Sequence, residues 1–369
     1  MNKKELETAS KRSCFNLKDS GINFTLSLIL PFLGSLLLIL LFMFLAAFSG
    51  YNYSEFVRTE FVQVVNMLFT PIVFFLIYFI YCRKTKVNVF KASEINREIS
   101  WLKVLAVVVM AVTAVLLISP MITLIDYGFS QIHYNPENNL PYKMDNALRL
   151  IIGIVSMAIL PSICEELLFR GLIFKGLQEK FNSHIAILLS ATMFTLLHGS
   201  LQQTVYQFIF GVLLGYAMHY GKNIIYPIIL HFVNNLIVVI NSFVYTLKGI
   251  DVNVDPVYNS VWDYVSPVLF FIIAAAFLVG LVFVLRYLDG RKTKEQFSVV
   301  ADDDLEDAII PDEESKETTQ NVEKLEEEPS NNTSEKQKLT KEDNWFVYGS
   351  IGLGLFLWLS NTIMQFFGM

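Results

Sequence analysis

The feature that most limits what this chain can become is a series of nine apolar runs, most of them near the ~20 residues that a helix needs to cross ~30 Å of hydrocarbon. They lie roughly at Phe24–Phe48, Val62–Cys82, Trp101–Ile125, Asn146–Ile163, His184–His198, Gln203–His219, Ile224–Tyr245, Val265–Tyr287 and Trp345–Phe367. The fourth continues as an apolar helix to about Leu177, and the fifth and sixth are short. A soluble core has no use for such runs. The 369 residues are 54% hydrophobic and 17% charged, with a mean hydropathy of +0.48, and the apolar excess over a soluble chain is concentrated in the runs. The expected fold class is all-α, a polytopic transmembrane helical bundle of about eight or nine spans.

Charge sorts along the same divisions. The formal net charge is −6, but Ala301 to Asn344 holds 16 Asp plus Glu against 5 Lys, a local −11, which leaves +5 on the rest. With the N-terminus placed in the cytoplasm and sides alternating, 19 Lys and Arg outside the acidic stretch fall on inner segments. Only Arg58, Lys143, Arg149 and Lys248 fall on outer ones. A miscounted span would scramble that contrast, so it predicts both the count and a multi-pass cell-membrane protein with a cytoplasmic N-terminus. No cleavable leader is expected, because Met1 to Asp19 is polar and the next run is long enough to span without a small-residue cleavage site. Asp302 to Glu342 has almost no aromatic residue and is expected to be a disordered cytoplasmic linker suited to a basic partner. Asn331 and Asn332 fit glycosylation acceptors but face the wrong compartment on this topology. Cys14, Cys82 and Cys164 lack metal or redox spacing and imply no disulfide framework. There is no internal repeat, Gly-rich phosphate loop or nucleic-acid signature.

Ionisable groups inside a bilayer cost ~2.5–3.5 kcal/mol each on insertion scales, so each needs a reason. Three places call for one. In Cys164-Glu165-Glu166-Leu167-Leu168-Phe169-Arg170, Glu166 and Arg170 share a helix face at the favourable i, i+4 order, whereas Glu165 is turned ~100° away. One carboxylate is then neutralised within its own helix and the other is left to face a cavity, or else both reach the interface and snorkel. In the fifth run Phe194 and His198 share a face; a lone histidine at a helix end is commonly structural. In the seventh, Asn235 stands one turn above His231, so the two can donate to one oxygen, or can serve as helix-packing hydrogen bonds. His219, His184 and His133 read as interfacial and inert.

Taken together, Glu165-Glu166-x-x-x-Arg170, Phe194-x-x-x-His198 and His231-x-x-x-Asn235, in that order and each on its own apolar segment, resemble the three motifs of the CPBP family. This is the CAAX protease and bacteriocin-processing (Abi) group of intramembrane peptidases. The resemblance covers roughly Trp101 to Tyr245 and leaves the first two spans, the acidic linker and the last span unexplained. It implies hydrolysis of a peptide bond in a membrane-bound or lipidated substrate, which is the bond after a prenylated cysteine in eukaryotic relatives. In bacterial relatives it implies peptide maturation, bacteriocin immunity or surface-protein processing. By position, Glu165 would be the general base, assisted by His198, with His231 and Asn235 as oxyanion donors, Glu166–Arg170 as a supporting ion pair and Phe194 as a packing residue of its motif. Family members are often called metalloproteases, so a zinc ion on Glu165, His198 and His231 is left open. The chain then divides into a cytoplasmic segment 1–23, a membrane hairpin and basic loop 24–100, a protease-like core 101–290, the linker 291–344 and a last helix 345–369.

Two further expectations come from span counting. Glu165 falls near the inner face, so meeting His198 would need an unusual start to the fifth span, a buried re-entrant turn at Gly199 to Gln203, or a bend at Pro161, around a wet cavity open to the cytoplasm. A transporter or proton relay, and a non-catalytic scaffold or immunity protein, are the alternatives that intramembrane Glu and His also permit.

Overall fold

The structure, a computed structural model, describes residues 15–95, 98–132, 134, 142–250, 258–306 and 341–367, without the side chains of 91, 117, 291–306, 341–343 and 367. Among the described residues there is no strand, and each of the nine apolar runs is a helix. These are α1 Leu17–Ser49, α2 Glu60–Thr85, α3 Trp101–Ser130, α4 Ala147–Leu177, α5 Ser183–His198, α6 Leu201–Gly221, α7 Ile225–Lys248, α8 Val261–Glu306 and α9 Lys341–Phe367. Seven are long and apolar enough to cross a membrane, and α5 and α6 are the exceptions. The chain is a multi-pass membrane protein. Outward side chains of α1 such as Leu37 and Phe44, 68% and 66% exposed, form surface that acyl chains would cover.

Local chemistry explains the shape of α4. Asn146 caps its start by accepting from the Arg149 N–H at 3.0 Å. The helix widens to π geometry over Ile154–Ile159, just before Pro161. Proline has no N–H to give the carbonyl four residues back. That carbonyl belongs to Met157, and the Asn235 side-chain amide of α7 donates to it at 3.2 Å. A backbone group freed in apolar surroundings thus finds a partner on the neighbouring helix.

Between α5 and α6 the chain turns within two residues. Gly199 takes the left-handed conformation, φ +60°, that closes α5, and the Ser200 hydroxyl caps α6 by accepting from the Gln203 N–H at 3.4 Å. Only Gly199 and Ser200 are non-helical, and they are half-buried, so the link is a tight hairpin rather than a longer buried loop. The two helices approach closely at Gly211, where a Cβ would sit 3.1 Å from Ala191.

Polar contacts sort the bundle into two ends. At the first, Lys103 Nζ donates to the Tyr220 carbonyl at 2.7 Å and reaches Asp289 at 3.3 Å. Lys175 pairs with Glu94, Lys180 with Asn344, and the Tyr81 hydroxyl donates to Asp19 at 2.6 Å. At the second, Arg149 bridges Asp145 and Glu60 at 2.9 and 3.3 Å, Tyr142 donates to Glu60, and Tyr134 donates to Gln365 at 2.7 Å. Every residue of the first set lies on the side the charge count assigned as inner, and every residue of the second on the other.

Two boundaries differ from expectation. α3 reaches Ser130 rather than Ile125, which puts Asp126 inside the apolar helix, where the Gln202 side chain hydrogen-bonds it. α8 stays helical to Glu306, beyond Tyr287 and into the first part of the linker that separates it from α9. The rest of that linker with Asn331 and Asn332, and also Cys14 and His133, lie outside the described residues.

Candidate active site

On α4, Glu166 and Arg170 are both 0% exposed and pair at 3.0 Å. Arg170 also donates to the Gly211 carbonyl of α6 at 3.0 Å and stacks its guanidinium 4.9 Å from the centre of the Phe194 ring. The same Glu166 oxygen that Arg170 meets takes a second hydrogen bond, from His231 Nδ1 on α7 at 2.8 Å. The Glu166–Arg170 pair therefore joins α4 to α6 and α7. Glu165, one residue earlier, faces elsewhere: it lines a cavity, whereas Glu166 does not, and Oε2 of each glutamate is buried without a hydrogen-bond partner.

His198 ends α5 with its Nδ1 on the Phe194 carbonyl at 2.9 Å. That contact makes Nδ1 the protonated nitrogen and leaves Nε2 as the basic one. Phe194 is the wedge of the site. It meets Phe169 edge-on at 5.3 Å, His198 at 4.7 Å and His231 at 6.0 Å between ring centres, so both imidazoles and the Arg170 fork are held against a single aromatic ring.

On α7, His231 is 4% exposed and is also held edge-on by Phe210 at 5.4 Å. Its Nδ1 is committed to Glu166, so Nε2 is the nitrogen left for a substrate. Asn235 gives one amide hydrogen to Met157 and accepts from the neighbouring Asn234 amide at 3.2 Å, while Asn234 in turn accepts from the Tyr206 hydroxyl.

Glu165, His198, His231 and Asn235 all line one cavity of about 530 Å³ enclosed by α3, α4, α5, α6 and α7. That volume suits a few residues of an extended peptide. The depth problem set by span counting dissolves because α4 runs on, unbroken, to Leu177. Glu165 stands ~18 Å from that end of α4 and His198 ~22 Å from the start of α5, by the helical rise. Glu165 and His198 therefore stand at similar heights along α4 and α5, well away from the turn that joins those helices.

Several lining residues escaped the sequence reading: Gln202, Gln203, Tyr206 and Gln207 on α6, Asn234 on α7, and Ser119 and Thr123 on α3. Gln203, Tyr206 and Gln207 carried a readable signal, polar groups recurring at helical spacing within an apolar run. Asp126 was missed because the third run was ended one residue too soon. Among the described residues no group of three or more His, Cys, Asp or Glu is placed to hold a metal ion. Glu165, His198 and His231 line one cavity without forming such a group.

A buried Glu–Arg pair, a separate acid in a cavity and two imidazoles from adjoining helices make a constellation that a known family can be tested against. Residues 147–237 match the family described as type II CAAX prenyl endopeptidase Rce1-like. The Rce1-like segment begins on the first residue of α4, ends within α7, and contains all three motifs. Helices α1, α2, α3, α8 and α9 lie outside it. Neither a curated protein nor a solved structure matches the chain.

Proposed function

We propose that this protein is an intramembrane endopeptidase that hydrolyses a peptide bond of a membrane-associated or lipid-modified polypeptide. The observation that carries the reading is the division of labour between adjacent acids. Glu166 gives its Oε1 to both Arg170 and His231 and lines no part of the cavity, while Glu165 lines the cavity that His198 also lines. The match to a CAAX-type protease family supports the same reaction class.

Glu165 takes a proton from a water in the cavity as that water attacks the scissile carbonyl carbon. The tetrahedral oxyanion then meets the second amide hydrogen of Asn235; His231, whose Nδ1 is held by Glu166, would join it only as an imidazolium that carries a proton on Nε2 as well. Each such donor is worth ~2.7–4 kcal/mol in other hydrolases. His198, with Nδ1 pinned to the Phe194 carbonyl, offers Nε2 to relay the proton to the departing amine as the C–N bond breaks. Arg170 and Phe194 touch no reacting atom; they hold the groups that do.

The test is cleavage by the purified full-length chain in liposomes, using a peptide anchored through a prenylated cysteine and its unlipidated counterpart. Wild type should cut the anchored peptide, and His198→Ala should lower the rate by roughly 10²–10⁴-fold. Cleavage by His198→Ala at the wild-type rate would refute the assignment.

A further inference from the structure

Which face of the membrane the cavity serves can be read from its walls. The exposed residues lining it are Ser119 and Thr123 on α3, Gln203 on α6 and Val238 on α7. Each lies in the half of its helix away from the Lys103–Tyr220–Asp289 end. By helical rise Thr123 is ~33 Å from the start of α3, Gln203 ~27 Å from the end of α6, and Val238 ~20 Å from the start of α7. Of the buried lining residues, Asn234 and Val239 continue the wall along α7, and Val115, Phe210 and His231 lie towards the lysine-rich end. Beneath them the Glu166–Arg170 pair and Phe194, all 0% exposed, seal that route. The rim therefore belongs to the end that also carries Arg149, Tyr142 and the Tyr134–Gln365 contact.

That end is the one with 4 Lys and Arg against 19 on the other. The segment bias of basic residues marks the cytoplasmic side of a multi-pass protein. We propose that the cavity opens to the extracytoplasmic face, so that, on the peptidase reading above, the substrate is a polypeptide segment presented at the outer leaflet. This replaces the expectation of a cavity open to the cytoplasm. Among the described residues no Lys or Arg lines the cavity.

The decisive experiment labels single cysteines in intact cells with a sulfonated, membrane-impermeant maleimide, the chain with only its native cysteines giving the background. Thr123→Cys and Gln203→Cys should react from outside, and an impermeant peptide should protect them. Lys222→Cys should react only after permeabilisation. Rim cysteines that react only after permeabilisation, or only in detergent, would overturn the proposal, and either position suffices should the other variant fail to fold. In the same cells wild type should cleave the external peptide and Glu165→Gln should not. Equal cleavage by both would remove the catalytic reading, while the labelling pattern would still decide the direction of access.

Discussion

Glu165 and Glu166 are the same residue type one position apart, and ~100° of helical rotation gives them different chemistry. The i, i+4 spacing of Glu166 and Arg170 announced the ion pair from sequence. The third member, His231, left no such trace, because a contact between helices has no sequence period. The pair predicts its own energetics. Arg170→Met leaves a buried carboxylate short of its cation and should lower stability by about 3–5 kcal/mol. Adding Glu166→Gln should restore most of that loss, since an uncharged pair of similar volume carries no desolvation penalty. Unfolding in detergent of the two single variants, the double variant and wild type measures both effects; a double variant no more stable than Arg170→Met would show that packing, not charge, is at stake.

At the level of helices, the existence of nine elements was legible in the apolar runs, but the depths at which they meet were not. Depth depended on whether the stretch after Ile163 stays inside the bundle, and Leu172, Ile173 and Phe174 keep it there as core residues. The role of Asn235 was half legible. Its place above His231 follows from spacing, but its bond to the carbonyl that Pro161 frees needs the register of two helices. Two predictions concern the α5–α6 hairpin. Gly211→Ile forces bulk against Ala191 and should cost about 1–3 kcal/mol, with lower cleavage per folded molecule because α5 carries His198. Helix α9, outside the Rce1-like segment, holds the turn after His198: Asn361 donates to the Gly199 carbonyl, and Trp358 Nε1 donates to Thr204 Oγ1 at 3.2 Å. Asn361→Leu should therefore lower kcat by roughly 10-fold or more with KM little changed, since small misplacement of a catalytic group is costly. Wild-type kcat in that variant would make α9 a packing element only.

For the molecule as a whole, the charge count along the chain and the contacts in three dimensions agree on two ends. The basic end is tied together by Lys103, Lys175 and Lys180; the other carries the cavity rim. The family match occupies only residues 147–237, and the surrounding helices build the rest of the cavity, with α3 supplying one wall and α9 bracing the His198 turn. The whole account requires that Glu165 alone, and not its neighbour, activates the attacking water. Single-turnover cleavage of the anchored peptide by Glu165→Gln, at matched amounts of folded protein in liposomes, puts this to the test. The account predicts a rate at least about 10³-fold below wild type with an unchanged unfolding midpoint, on the scale that removing an essential acid–base group produces; a rate within tenfold of wild type would contradict it.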